Sequence, residues 1–463
     1  MIFSVFVRYG RGLRLLVVLA AMAASRASVF AATTAEDVMP QLRDIMQGAL
    51  TQSPRMVERN LSRLQAEQSL LLSSAALYPH VSASVNYQIA KENQTQDNPD
   101  RGWLSNDRNN FLVAISEPVL HWGEYGAAAE IGRIQAKIAA NNVREAYRDL
   151  AKQIRSSYLQ LIIDKASIRV GKFGEELARR RITVLQTRVA SGELLAGADS
   201  GAQQDLTEAL LAGEQRRAAF ERSLRAFRRL TGNPDFSPDS LPEAIPEVPQ
   251  LPADEIARAP ELAAQGLESD GRHQNLSFQV KTEQLNLQIA RVAQRPKIDG
   301  SIALSQDQLT YVSNVGQRTG VQSAYIGISV GWNIFDGRAT RGRIQTTRTR
   351  LQILENQLAE LTEDLRYAAE QSSLQIGFAR RTLDNAETRY AWAVSGYNLT
   401  KDNFDRKRIS NDDLDNARFS LNSAEIGLFS ARATYLNAVS DWLYSLNADP
   451  AIPATIPPAH VAP

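Results

Sequence analysis

The chain contains no cysteine. Disulfides, iron–sulfur clusters and thiolate-bound zinc are therefore excluded, and so is a lipid-modified cysteine as a membrane anchor. Histidine is nearly as scarce. His80, His121, His273 and His460 are scattered without metal-ligand spacing. Glycine pairs such as Gly10 and Gly12 lack the strand–loop–helix context of a phosphate cradle, and the serines, threonines and carboxylates form no recognisable catalytic grouping. The expectation is a protein with no catalytic, cofactor-binding or metal-ligating residues, and not an enzyme. Charge of one sign is also missing: 52 basic side chains face 51 acidic ones, a net charge of +1. A nucleic-acid partner thus has no electrostatic support at the level of the whole chain. Beyond residue 31 no apolar run approaches the length of a membrane-spanning helix. If the mature chain spans a bilayer, it must use strands. Proline is absent between Pro118 and Pro234 and again between Pro296 and Pro450, which permits long unbroken helices.

What is present fits a folded chain of two or three domains: 463 residues, 43% hydrophobic and 22% charged. Arg8, Arg11 and Arg14 precede an apolar run from Leu15 to Ala24, and Val29-Phe30-Ala31 offers small residues for cleavage. Residues 1–31 read as an export signal. The remainder repeats itself with a period of about 210 residues. Ser53-Pro54-Arg55-Met56 matches Ala259-Pro260-Glu261-Leu262, and Leu77-Tyr78-Pro79-His80 matches Gln294-Arg295-Pro296-Lys297. The segment from Pro118 to Gly123 lines up with Asn333 to Gly337, and Gly132-Arg133-Ile134-Gln135 with Gly342-Arg343-Ile344-Gln345. The expected organisation is a first repeat over 32–232, a proline-rich joint over 233–255, a second repeat over 256–447 and a proline-rich tail over 448–463. Both proline-rich segments read as irregular chain lying against the main body.

Four segments alternate with period two. Val81, Ala83, Val85, Tyr87 and Ile89 share one face. Phe111, Val113 and Ile115 share another, as do Ile298, Gly300, Ile302 and Leu304, and then Ile326, Ile328, Val330, Trp332 and Ile334. These lengths suit tilted transmembrane strands with lipid on the apolar side. Polar stretches, Lys91–Asn109 and Asp307–Gln322, read as the long loops joining each pair. Trp122 and Trp332 fit an aromatic girdle at the opposite end. Four strands cannot close a barrel, and open edges are not tolerated in lipid, so several chains must share one. After each strand pair the period becomes helical. Ile344, Thr347, Leu351, Leu354, Leu358, Leu361, Leu365 and Ala368 form a heptad seam, continued by Ser372, Gln375 and Ala379. Ile131, Ile134, Ile138, Leu150, Ile154 and Leu161 form a looser one. A helix from about 124 to 190 would be on the order of 100 Å long.

The stretch Ile328-Ser329-Val330-Gly331-Trp332-Asn333-Ile334-Phe335-Asp336-Gly337 and the turn Arg408-Ile409-Ser410-Asn411-Asp412-Asp413-Leu414 carry a family resemblance. In this duplicated setting the chain resembles the TolC-type outer-membrane efflux and secretion channels, with Lys407 standing where the family turn usually has glycine. The resemblance implies an α+β membrane protein. In it a homotrimer builds one 12-stranded β-barrel, four strands from each chain, and a long periplasmic barrel of helical hairpins. It further implies an outer-membrane location, a periplasmic adaptor, an inner-membrane ABC or RND-type transporter and surrounding outer-membrane lipid. Export through a tripartite efflux or type I secretion system would be the function. The alternative is a trimeric structural or adhesive coiled coil without a conduit. By motif position the resemblance makes Asp413, Asp412 and Asn416 candidates for the periplasmic entrance. Gly192, Asp199 and Ser410 fall at the hairpin turns, and Pro118, Trp122, Gly123, Asp336 and Gly337 at the strand–helix junctions.

Overall fold

The computed structural model describes residues 34–92, 103–312 and 318–450. The export signal, the loop positions Asn98 and Asn314, His460 and the tail beyond 450 lie outside the described residues. In chain order the elements are α1 (Ala35–Val38), α2 (Pro40–Gln52), α3 (Pro54–Ala75), β1 (His80–Glu92) and β2 (Leu104–Leu120). There follow α4 (Glu124–Ala190), α5 (Ser200–Thr231), α6 (Ala253–Ala257), α7 (Ala259–Gly266) and α8 (Gly271–Val292). The chain ends with β3 (Lys297–Val312), β4 (Arg318–Gly331), α9 (Ala339–Asp405) and α10 (Asn411–Ser445). The order helix, strand pair, long helix, returning helix thus occurs twice. No helix among the described residues is long and apolar enough to cross a membrane.

Two compact units are present. One comprises residues Arg59–Arg144 and Gly271–Thr362 and contains the four strands. They form one antiparallel sheet in the order β1-β2-β3-β4. Register places Val81, Ile115, Ile302 and Ile326 side by side in one row, and Ala83, Val113, Leu304 and Ala324 in the next. On the other face Ser84, Leu112, Ser305 and Ser323 form a row. Successive side chains point to opposite faces, so the rows separate an apolar face from one of mostly small or polar residues. Val81, Ile302 and Ile326 are exposed in the single chain. A bulge between Pro118 and Leu120 shifts the β2–β3 register. Beside it Gly300 pairs with Glu117, and an added Cβ there would stand 3.4 Å from the Val119 side chain.

The strands run further into the polar stretches than their alternation suggests. Lys91 and Leu104 to Asn109 are paired strand, as are Asp307 to Val312 and Arg318 to Gln322. The expected loops therefore shrink to the segments between Glu92 and Leu104 and between Val312 and Arg318. Ladder pairing continues because backbone hydrogen bonds do not depend on side-chain polarity, and polar pairs such as Arg108–Asp307 bridge neighbouring strands, with Arg108 Nε donating at 2.9 Å. At the other end β4 stops at Gly331, not at Ile334. Gly331 pairs with Lys297, the first residue of β3, and Pro296 before it lacks the N–H to extend the ladder.

The other unit comprises residues up to Glu58, Glu145–Asp270 and residues from Glu363 onward. Its core buries Leu42, Met46, Met56, Tyr147, Leu150, Ile154, Tyr158, Phe227, Tyr435 and Trp442. Burial pushes the Tyr147 and Tyr158 phenols up to about 12. Gly232 ends α5 in the left-handed conformation, φ 74°, where a Cβ would come within 2.1 Å of the Gln52 carbonyl oxygen. Only glycine satisfies both demands. The proline-rich joint lies over this unit as an irregular strap, burying Phe236, Leu241, Ile245, Val248 and Leu251. Its backbone is met by side chains. Lys165 donates to Leu241 O at 2.9 Å, Arg432 to Ile245 O at 2.7 Å, and Leu251 N to the Tyr435 hydroxyl at 2.7 Å. Lys165 also holds the Glu243 carboxyl below the usual carboxylate range, mainly by hydrogen bonding.

The α9 seam departs from its expected course. Down to Leu365 the heptad residues are buried or half-buried. Ala368 and Gln375 are then exposed, and the buried stripe continues as Ala369, Ser372, Ile376, Ala379 and Leu383. The seam steps by one residue from Ala368 to Ala369, a four-residue interval where three was expected, and Ile376 takes the place expected for Gln375.

Candidate functional site: junctions and hairpin ends

The strand–helix junctions of the two halves share one backbone device. Trp122 and Gly123 have φ of 53° and 81°, and Gly337 and Arg338 have 64° and 73°. Each pair of left-handed residues turns the chain from strand to helix. Glu124 N donates to His121 O at 3.0 Å, and Ala339 N to Asp336 O at 3.2 Å. His121 therefore corresponds to Asp336, and Trp122 to Gly337. The long helices that follow are each 67 residues. Counted from their starts, Gly132 is eight residues into α4 but Gly342 only three into α9. The repeated Gly-Arg-Ile-Gln is thus not structurally equivalent, although the duplicated element order stands.

The equivalent positions do different work. The Asp336 carboxylate accepts from Thr340 N at 2.8 Å and Thr340 Oγ1 at 2.5 Å. This caps α9, and the Thr340 hydrogen bonds hold the Asp336 carboxyl below its usual range. His121 instead lies 2.8 Å from Asp299 of β3 and packs on the Tyr125 ring, centroids 4.5 Å apart. Lys297 of β3 meets Glu124 at 2.5 Å. The two expected girdle tryptophans both anchor to the segment before β3: Trp122 Nε1 donates to Pro296 O at 2.7 Å, Trp332 Nε1 to Gln294 O at 3.0 Å. Pro118 lies at the bulge.

The hairpin ends are built unequally as well. Between α4 and α5, Gly192 is left-handed at φ 81°, and Asp199 precedes α5 without a side-chain cap. Between α9 and α10, Lys407 is left-handed at φ 59°. The lysine therefore keeps the turn conformation that glycine favours, and Arg408 N still bonds back to Asn403 O at 2.9 Å. Ser410 caps α10: Asp413 N donates to Ser410 Oγ at 3.2 Å, while Ser410 N and Oγ donate to Asp413 Oδ2 at 3.1 and 2.7 Å. This reciprocal box occupies the Asp413 carboxylate and holds it below the usual range, chiefly through the Ser410 hydroxyl. Asp412 is exposed and has no side-chain partner among the described residues. Asn416 lines a groove of about 620 Å³ between α4, α5 and α10, with Gly171, Gly174, Ala209 and Phe419.

Two buried groupings were not singled out from sequence. Asp415 is buried and pairs with Arg180 at 3.1 Å. Arg155 is buried between two carboxylates. Its Nε donates to Glu36 at 2.9 Å and its Nη2 to Asp449 at 2.9 Å. Burial opposes its charge, but hydrogen bonds to Asp449 and Glu36 outweigh that and raise its pKa. One guanidinium thus ties α1 and the end of the described chain to α4. The available signal was Arg148 and Arg155, seven residues apart within an otherwise apolar stripe. Such a pair demands carboxylates.

Residues 45–233 match the family model described as outer membrane efflux protein. No curated protein matches the chain. Among solved structures, the CmeC outer membrane channel of Campylobacter jejuni is similar at a TM-score of 0.70 and 14% identity, covering 88% of this chain and 85% of that one. The outer membrane protein VceC of Vibrio cholerae gives 0.65 at 15% identity, covering 88% and 96%. The MtrE outer membrane channel of Neisseria gonorrhoeae gives 0.66 at 14%, covering 88% and 89%. The resemblance read from the sequence is met, and the fold is that of the outer-membrane channels. The family model is one of outer membrane efflux proteins, and CmeC and MtrE are outer membrane channels.

Proposed function

We propose that the chain is one protomer of an outer-membrane export channel, serving a tripartite efflux or type I secretion system. The observation that carries this is the sheet: four strands with an exposed apolar face, and outer strands β1 and β4 that each pair on one side only within the chain. In lipid such edges must be closed. Three copies supply twelve strands, enough for a barrel with an aqueous lumen. On this reading residues 1–31 are removed on export, and 32–232 and 256–447 are the two repeats, with the strap of 233–255 and the tail of 448–463 beside them. The helices stand in the periplasm, where an adaptor protein and an inner-membrane ABC or RND-type transporter would dock, and outer-membrane lipid surrounds the sheet. Asp412, Asp413 and Asn416 would mark the periplasmic entrance, with Asp412 the carboxylate free to meet a cation. Purified protein should run as a trimer in detergent and conduct in planar bilayers. A stable monomer with intact strand content, or trimers that never conduct, would refute the channel. Asp412→Ala should relieve block by a trivalent cation, and equal block in wild type and variant would refute the entrance assignment alone.

A further inference from the structure

Between Gly337 and Leu354 the chain carries Arg338, Arg341, Arg343, Arg348 and Arg350 and no acidic residue. In the heptad frame of α9, with Ile344 and Leu351 at a and Thr347 and Leu354 at d, Arg341 and Arg348 fall at e, and Arg343 and Arg350 at g. These four side chains are exposed, and none has a carboxylate partner among the described residues. The ordinary role of e and g charges is to pair with acids on the neighbouring helix. The same unit offers few. Its other helices contribute Glu67, Glu124, Glu130 and Glu283, already engaged by Arg63, Lys297, Arg133 and Asn286. On α9 itself the acids of this unit are Glu355, five residues past Arg350, and Glu360. Counting 215 residues back along the paired long helices, the equivalent positions on α4 are Gly126, Ala128, Arg133 and Gln135. The excess of positive charge therefore belongs to α9 alone.

We propose that one of these arginine rows lines the conduit and forms an anion-attracting collar, so that the channel favours anionic cargo. This rests on the channel reading above. The e and g rows flank the half-buried seam on opposite sides. When the seam faces a neighbouring helix in a ring, one row faces the enclosed space and the other faces out, whichever way the helix is turned. Two guanidinia per chain become six in a trimer, and rings of arginine select anions.

The test uses the whole trimer in planar bilayers under a potassium chloride gradient, reading the chloride-to-potassium permeability ratio from the reversal potential. Wild type should favour chloride. Of the double variants Arg341→Gln/Arg348→Gln and Arg343→Gln/Arg350→Gln, one should lower the ratio by at least about twofold and the other should leave it unchanged. Trimer yield in detergent confirms that both variants assemble. If one variant fails to assemble, Gln is replaced by Lys there as a charge-retaining control, which must restore assembly and the wild-type ratio. Conducting trimers with a cation-favouring wild type, or a ratio unmoved by both pairs, overturn the collar while leaving the channel intact. Wild-type trimers without conductance overturn both.

Discussion

The helices α4 and α9 have equal lengths and equivalent starts, yet they are buried differently. In the unit that contains their later halves, α4 buries Tyr147, Leu150, Ala151, Ile154, Tyr158, Leu159, Leu161 and Ile162, a face about half the helix wide. Over the same unit α9 buries Leu365, Ala369, Ser372, Ile376, Ala379 and Leu383, a single stripe at alternating four- and three-residue steps. A broad face is what a helix needs when its own chain surrounds it, whereas a stripe seals one seam only. Duplication therefore supplied two rods of one length, and sequence divergence made one an internal post and the other a helix whose flanks remain uncovered by its own chain.

The largest expected effect tests the post. Arg155→Ala leaves Glu36 and Asp449 buried without their partner and should destabilise by about 3–5 kcal/mol, read from the denaturant midpoint. The equivalent residue on α9, Glu370, is exposed, and Glu370→Ala should shift the midpoint by less than about 0.5 kcal/mol. Similar losses at both sites would erase the distinction. Next, Ile376→Ala should cost about 2–5 kcal/mol by opening a cavity in the stripe, while Gln375→Ala should be nearly silent. The reverse order would restore the seam read from sequence.

That seam illustrates what the sequence could and could not convey. Period-two alternation located all four strands, and the proline-free run with helical period placed the first long helix at 124 to 190, whereas the end of the second at Asp405 was not marked. Polar strand residues such as Asn109 and Gln308 hid the strand tips, because their ladder bonds leave no mark in hydropathy. One step between Ala368 and Ala369 was invisible, since both are alanines and only packing distinguishes them. Arg155 could be suspected, but not its partners, which lie 119 and 294 residues away.

A smaller effect distinguishes the junctions by pH. The Asp336 carboxyl is lowered in the folded chain, so its contribution is present above the unfolded carboxylate pKa, about 3.9. It is lost as pH falls through the lower folded value. Asp336→Asn should therefore be less stable than wild type at neutral pH and converge with it in acid. A constant difference across the titration would mean that the carboxylate's charge contributes nothing to the cap. Ser410→Ala, which removes the α10 cap, should cost about 1 kcal/mol. The smallest change expected is a gain. Lys407→Gly relieves a left-handed residue that carries a Cβ and should stabilise the hairpin by up to about 1 kcal/mol. A loss would show that the lysine side chain makes a compensating contact in the assembly.

The sheet order carries a consequence for synthesis. The central ladder joins β2 to β3, with Ile115 beside Ile302, so the middle of the sheet is made from opposite halves of the polypeptide. When only the first half has been made, only the β1–β2 hairpin exists, and an isolated hairpin is marginally stable at best. Nearly two hundred residues must follow before its inner edge meets a partner. Such distant pairing is slow. During that interval the exposed β2 edge is open to wrong partners until the second half arrives.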